Sequence, residues 1–366
     1  MIEPKLRFKA DDGSQFPDWE EKRLEEIVGK ISSGKDKACN GNYVLYGSTG
    51  IIGTCQSPTY KGRKILVARV GANAGTVNLV NDDCGVSDNT LIINNVDLCN
   101  FDWLYFYMVH KELGKMRFGS GQPLITGTML RDLCIQLPND FEQQKIAEFL
   151  STIDTVIAKQ KETVSAWEER KKGVMQKLFN QEVRFKADDG NEFSEWKEKK
   201  LGDILTYEQP TKYIVKSTEY NDKYKIPVLT AGQSLILGYT DEMDGVYNAS
   251  STNPVIIFDD FTTSFHWIDF SFKVKSSAMK LLTLNDDKCN FSYVYNAMQF
   301  IDYVPMSHSR QWISTYSMFK VPVPCLAEQQ KIADCLSSLD EVIEKQKTTL
   351  AAWEEMKKGL LQQMFV

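Results

Sequence analysis

Along two stretches of the chain, apolar residues recur at alternating steps of four and three, the spacing of one helix face, and hold it for five heptads. In the first stretch one row of the stripe is Ile146, Ile153, Gln160, Trp167 and Val174, and the other is Leu150, Ile157, Val164, Lys171 and Leu178. In the second the rows are Ile332, Leu339, Gln346, Trp353 and Leu360, and Leu336, Ile343, Leu350, Lys357 and Met364. The polar interruptions fall at the same steps. The pattern predicts long helices over residues 141–180 and 327–366, each a rod of about 57 Å. Such a stripe is narrower than the face a globular helix buries. The expected solution is that the helices pack on one another as an antiparallel coiled coil. Gln160 and Gln346 would form a polar layer that fixes register, with Trp167 and Trp353 in the same seam. The other solution is that each helix packs on its own neighbouring domain.

The rest of the chain has a different rhythm, short apolar runs punctuated by Gly, Asn, Ser and Thr, which reads as β-structure. From about Val28 to Phe141 the runs are Y-V-L-Y, K-I-L-V-A and T-L-I-I. Helical spacing follows over Phe101 to Lys115, and a closing strand over Leu133 to Pro138. From Leu205 to Ala327 the order returns: K-I-P-V-L and P-V-I-I-F as strands, a helix over Phe291 to Ile301, and a closing strand over Phe319 to Pro324. The class is α+β, two globular β-rich domains separated by two long helices. The inserts share this coarse order without clear sequence similarity.

The frame around them is written twice. R-F-K-A-D-D-G-S-Q-F-P-D-W-E-E-K-R-L-E-E-I, Arg7 to Ile27, returns as R-F-K-A-D-D-G-N-E-F-S-E-W-K-E-K-K-L-G-D-I, Arg184 to Ile204. E-Q-Q-K-I-A opens near-identical blocks at Glu142 to Gly173 and Glu328 to Gly359. The chain thus divides into a frame segment 1–27, a domain 28–140, a helix 141–180, a repeated frame segment 181–204, a domain 205–326 and a helix 327–366. A scaffold kept twice while its cargo diverges presents two different surfaces in one geometry, and an internal pseudo-twofold relation is its simplest form. The first helix runs through Asn180 to Val183 into the second frame segment, so the N-terminus is expected beside the C-terminus, a circular repeat.

Composition narrows the function. The 42% apolar and 25% charged residues are those of an ordinary globular protein. No run approaches the length of a membrane span, and the charged start M-I-E-P-K-L-R predicts no export, hence a cytoplasmic protein. Eight scattered cysteines without C-x-x-C and three histidines build no sequence-local metal site. A net charge of −6 excludes a generic polycation. Residues 31–140 hold 10 Lys/Arg against 9 Asp/Glu, and 205–326 hold 10 against 12, so any contact with nucleic acid must be local or shared with a partner.

Candidate contact residues lie in the polar loops of both inserts. Lys61, Arg63 and Lys64 form a basic turn, either a phosphate contact or a solvated hairpin tip. Arg69 to Gly75, with Arg69 and Asn73 as candidates, lacks the spacing of G-x-G-x-x-G or a P-loop and reads as a tight turn near DNA. Ser120 and Gln122, with Thr126 beyond them, occupy a place taken in the second insert by His308, Ser309, Arg310 and Gln311. Gln and Arg suit bidentate contacts to adenine and guanine edges. For Thr262, Thr263, Ser264 and His266, phosphate or base contact competes with ordinary loop hydrogen bonding. No nucleophile, base and orienter assemble, so no catalytic residue is assigned.

Two R-F-K-x-D-x-G…W-x-x-K-x-L blocks, two P-x-x-x-E-Q-Q-K-I-A-x-x-L helices at Pro138 to Leu150 and Pro324 to Leu336, and divergent inserts together resemble the specificity subunit of type I restriction-modification systems. The resemblance covers essentially the whole chain. It implies that the inserts are target-recognition domains, each reading one half of a bipartite, asymmetric site in double-stranded DNA. The helices would set the gap between halves and dock two modification (methyltransferase) subunits. It implies S-adenosylmethionine on those subunits, ATP and Mg on restriction subunits where present, and neither cofactor on this non-catalytic chain. The sequence has no Walker A, and Asn253-Pro254-Val255-Ile256 only partly echoes N-P-P-Y. The alternative is a helix-paired scaffold or adaptor that binds proteins through its inserts.

Overall fold

The computed structural model describes residues 4–94, 96, 98–119, 123–230, 235–305 and 309–365. The chain divides into two compact units, Met1–Thr163 with Gln346–Val366, and Val164–Lys345. In the first, β1 (Glu20–Arg23) and the helical turn α1 (Leu24–Ile27) precede the insert strands β2 (Ser32–Ser33), β3 (Tyr43–Gly47), β4 (Gly50–Cys55), β5 (Lys64–Ala68), β6 (Val77–Val80), β7 (Gly85–Val86) and β8 (Thr90–Ile93). Helices α2 (Phe101–His110) and α3 (Gly127–Arg131), then β9 (Cys134–Leu137) and the long α4 (Asp140–Phe179), complete the series.

Strands β2-β8-β5-β6 form one sheet and β4-β3-β7 another, while β1 closes antiparallel on β9. Every residue of β5 and β8 is buried, which is why both read as unbroken apolar runs rather than alternating ones. Their side chains still alternate: Ile65, Val67, Leu91 and Ile93 enter the main core with Trp103 and Tyr107, whereas Leu66 and Ile92 join Val80, Cys84 and Val86 on the other face. Asn100 caps α2, its side chain accepting from the backbone N–H of Asp102 and Trp103. The helix is shorter than its spacing predicts. It stops at His110 because Glu112 takes a left-handed φ of 45°, and a 3-10 turn, Leu113–Met116, follows. Gly75, with φ +94°, lets the turn after β5 pass this point, since a Cβ there would lie 2.3 Å from Gly114 N.

The second unit is built from β10 (Lys197–Lys200), α5 (Leu201–Ile204), β11 (Leu205–Glu208), β12 (Ile226–Leu229), β13 (Ile236–Thr240), β14 (Val255–Asp259), β15 (Phe265–Ile268), β16 (Lys273–Val274), β17 (Met279–Leu284), α6 (Phe291–Gln299), β18 (Lys320–Val323) and the long α7 (Leu326–Met364). Sheet β11-β17-β14-β15 answers β2-β8-β5-β6, β13-β12-β16 answers β4-β3-β7, and β10 closes on β18 as β1 does on β9. The parallel pairing of β12 with β16 repeats that of β3 with β7, and a register shift interrupts both hairpins, at Leu45/Tyr46 and Val228/Leu229. The two inserts therefore share one fold.

In the first unit the start of α4 lies against the end of α7, running the opposite way: Asp154 pairs with Lys357 at 2.5 Å, and Gln160 Nε2 donates to Gln346 O at 3.0 Å and to its Oε1 at 2.8 Å. In the second unit Lys171 pairs with Asp340 at 2.6 Å, the repeat-equivalent of the Lys357 pair. The lysines that interrupt the stripe thus have ionic partners. Trp353 packs on the first core, whereas Trp167 is half-buried with the Arg170 guanidinium 5.1 Å from its ring. Helix pairing does not exclude packing on the domain. Ile146, Ala147 and Leu150 sit in the first core with Leu361, Met364 and Phe365, and Ile332, Ala333 and Leu336 in the second with Met175, Leu178 and Phe179. The ends also meet: Leu6 N donates 2.9 Å to Gln363 O, the bond that Val183 N makes to Lys177 O at 3.3 Å in the unbroken copy.

Candidate nucleic-acid interface

The E-Q-Q-K motif is the device that seats each insert on its frame. Glu142 is fully buried. It accepts from Arg7 Nε at 3.0 Å, Arg7 Nη2 at 2.8 Å and Trp19 Nε1 at 3.0 Å, so a carboxylate in the first turn of the helix holds the R-F-K…W block. Glu328 does the same for Arg184, at 3.1 and 2.8 Å, and Trp196, at 2.9 Å, and its carboxylate pushes the Arg184 pKa still higher. Gln143 donates to Pro138 O at 2.6 Å and accepts from Asn100 N at 2.7 Å, while Gln144 accepts from Asn100 Nδ2 at 2.7 Å. Gln329 and Gln330 repeat this on Pro324 and Asn290 at 2.8 Å each. The sequence reading missed both asparagines. Their signal was a tripeptide, Cys-Asn-Phe, present in both inserts at 99–101 and 289–291.

With the insert seated, the candidate loops divide into two groups. In the first insert the turn after β5 is joined to the segment before α3: Ile125 N donates to Arg69 O at 2.8 Å and Gly71 N to Pro123 O at 2.9 Å. Asn73 is exposed in that turn, and Thr126 is the N-cap of α3, its hydroxyl accepting from Met129 N at 3.2 Å. Arg69 Nη1 makes a long contact, 3.5 Å to Asp88 O, and its buried Nε has no hydrogen-bond partner among the described residues. Ser120, Gln122 and His308 lie outside the described residues.

The second insert repeats the arrangement. The turn between β14 and β15 carries Thr262, Thr263 and Ser264, with Thr263 at φ 61°. Asp260 opens this turn and receives Gln311 N at 2.7 Å and Trp312 N at 2.9 Å, which brings Ser309 and Arg310 alongside. Thr262 and Ser264 are exposed with their hydroxyls 2.9 Å apart, and Arg310 is exposed. His266 is half-buried in β15, where burial lowers its pKa and keeps the ring uncharged at neutral pH.

Several candidates have other work. Lys64 is completely buried and donates to Asp82 O at 2.6 Å, so it cannot reach a phosphate. Arg63 is engaged by Asp102, by Asn81 Oδ1 at 3.0 Å and by the Phe101 ring at 5.2 Å. This basic turn enters β5 at the end opposite Arg69, and Lys61 is an exposed cation in it for which no such partner is found among the described residues. Thr263 is buried, its hydroxyl 2.6 Å from Thr262 O. Gln311 is 3% exposed, donating to Ser309 O and accepting from Tyr303 Oη at 2.9 Å, which makes it a brace rather than a reading head.

One fold is thus used twice, seated identically on its frame and offering a different pair of polar loops each time. A sequence profile described as the type I restriction modification DNA specificity domain matches residues 17–165 and 193–352. The type I restriction enzyme EcoR124I/EcoR124II specificity subunit of Escherichia coli is 51% identical over 148 residues, 40% of this chain and 36% of that one. The chain thus matches about a third of that relative's length. The MjaVIII specificity subunit of Methanocaldococcus jannaschii is 26% identical over 97% of this chain and 94% of its own. A type I restriction-modification S subunit from M. genitalium shares the fold, with a TM-score of 0.63, 17% identity, and coverage of 100% and 99% of the two chains. The chain belongs to the type I restriction-modification DNA specificity family.

Proposed function

We propose that residues 28–140 and 205–326 are target-recognition domains, each reading one half of a bipartite, asymmetric site in double-stranded DNA. The reading surface of each is the loop pair at the exit of its central strand, Arg69 and Asn73 in the first, Thr262, Ser264 and Arg310 in the second. The observation that carries this reading is the joining of those two loops in both inserts by bonds to one backbone position, Arg69 O and Asp260 O. What differs is the side chains presented. A guanidinium there suits the O6 and N7 acceptors of guanine. The chain is a specificity component without chemistry of its own. The long helices set the gap between the half-sites and dock two methyltransferase subunits, which carry S-adenosylmethionine; ATP and Mg belong to restriction subunits. A net charge of −6 suits a reader whose partners supply much of the phosphate contact. Among the described residues no helix is long and apolar enough to cross a membrane, and the complex works in the cytoplasm beside the DNA.

The test is expression with the methyltransferase partner in a methylation-free host, followed by mapping of modified adenines. A split motif of fixed gap that needs this chain is the expected result. Co-purification of the two chains without any methylation would overturn it in favour of an adaptor.

A further inference from the structure

The second insert contains a buried ion pair that has no counterpart among the described residues of the first. Lys280 and Asp260 are each 1% exposed in their side chains, with Nζ 3.4 Å from Oδ2. Among the described residues neither Lys280 Nζ nor Asp260 Oδ2 has a hydrogen-bond partner, and Nζ lies 4.8 Å from the Tyr207 ring. The other oxygen of Asp260 accepts from Trp312 N at 2.9 Å, and its backbone carbonyl from Gln311 N at 2.7 Å. Phe258 faces Lys280 across β14 and β17 as Val67 faces Leu91 across β5 and β8, so Asp260 and Lys280 stand where the first insert has Arg69 and Leu91.

A buried charge pair whose facing atoms make no further hydrogen bond is a poor source of stability, and an apolar pair often serves the fold as well. What this one accomplishes is geometric. Lys280 pairs with the Asp260 carboxylate, and that carboxylate ties the segment bearing Arg310 to the turn bearing Thr262 and Ser264. Gln311, braced by Tyr303 and Ser309, completes the tie.

We infer that Asp260, held by Lys280, is a positioning residue that sets base discrimination in the half-site read by the second insert and in that half alone. This rests on the DNA-reading role proposed above. The experiment compares wild type, Asp260→Ala and Tyr303→Phe, each co-expressed with the methyltransferase partner. Methylation preference is read separately at every position of both half-sites, and folding is checked by a cooperative melt of the purified complex. The expected result is a fall of roughly tenfold or more in preference within one half-site for Asp260→Ala, a smaller fall in the same half for Tyr303→Phe, and an unchanged other half. A change confined to stability would not move one half-site alone. Unchanged preference in a folded Asp260→Ala complex would overturn the inference while leaving DNA reading intact. If that variant does not fold, unchanged preference in Tyr303→Phe would overturn it. Absence of any wild-type motif would overturn the inference together with the reading it rests on.

Discussion

At the scale of single residues, burial separates groups that serve the fold from groups that can serve DNA. Lys61 and Lys64 lie three positions apart in one basic turn, yet only Lys61 is exposed. Lys61→Ala should lower the salt slope of DNA affinity by about one if that lysine meets a phosphate. Lys64→Met should leave the slope unchanged and weaken the fold; titrating affinity against salt checks both. Glu142→Ala removes the buried carboxylate shared by Arg7 and Trp19 Nε1 and should cost about 3 kcal/mol, with hydrogen exchange showing the loss in the first unit. Histidines add a pH response. Burial lowers the pKa of His110, with Lys111 adding to the effect, and also that of His266. The folded state therefore favours neutral rings, and stability should fall as pH drops through the unfolded value of about 6.5. Replacing both by Gln should flatten the melting temperature between about pH 7.5 and 5.5. Sequence alone could not sort these residues, because Lys64 and Gln311 carry the same polar signature as exposed neighbours and only packing reveals that their polar atoms are occupied.

At the scale of elements, the chain was more readable. Both long helices follow from a stripe whose period survives five heptads, and even its exceptions are regular: Gln160 meets Gln346, while Lys171 and Lys357 find Asp340 and Asp154. The closing strands were legible as apolar runs before a proline, but their partners were not, since Glu20–Arg23 and Lys197–Lys200 are charged and carry no apolar run. Charged edge strands of this kind are decided by pairing, not propensity. The early stop of α2 was hidden because the strain at Glu112 is a backbone event. If the helices set the gap between half-sites, one heptad inserted after both Gln160 and Gln346 should lengthen the unmethylated spacer and leave both half-site sequences as they were; an unchanged spacer in the methylation map would refute that role.

At the scale of the whole molecule, the repeat was the strongest signal in the sequence and its circular form has a direct counterpart in the Leu6 to Gln363 bond. Opening the chain near Gln181 and linking the ends should give a permutant that folds and, with its partners, methylates the same motif. Failure to fold would refute the circular arrangement. The two inserts were harder to equate, because their shared fold rests on backbone pairing that diverged side chains conceal. The seating of each insert has a further consequence for how such a chain can change over generations. The frame takes hold of its cargo through one asparagine at the mouth of a helix, two glutamines and a four-residue ladder. On the proposed reading, a cassette that brings the same asparagine and ladder would seat at either position, so exchange of one insert would change one half-site and leave the other unaltered.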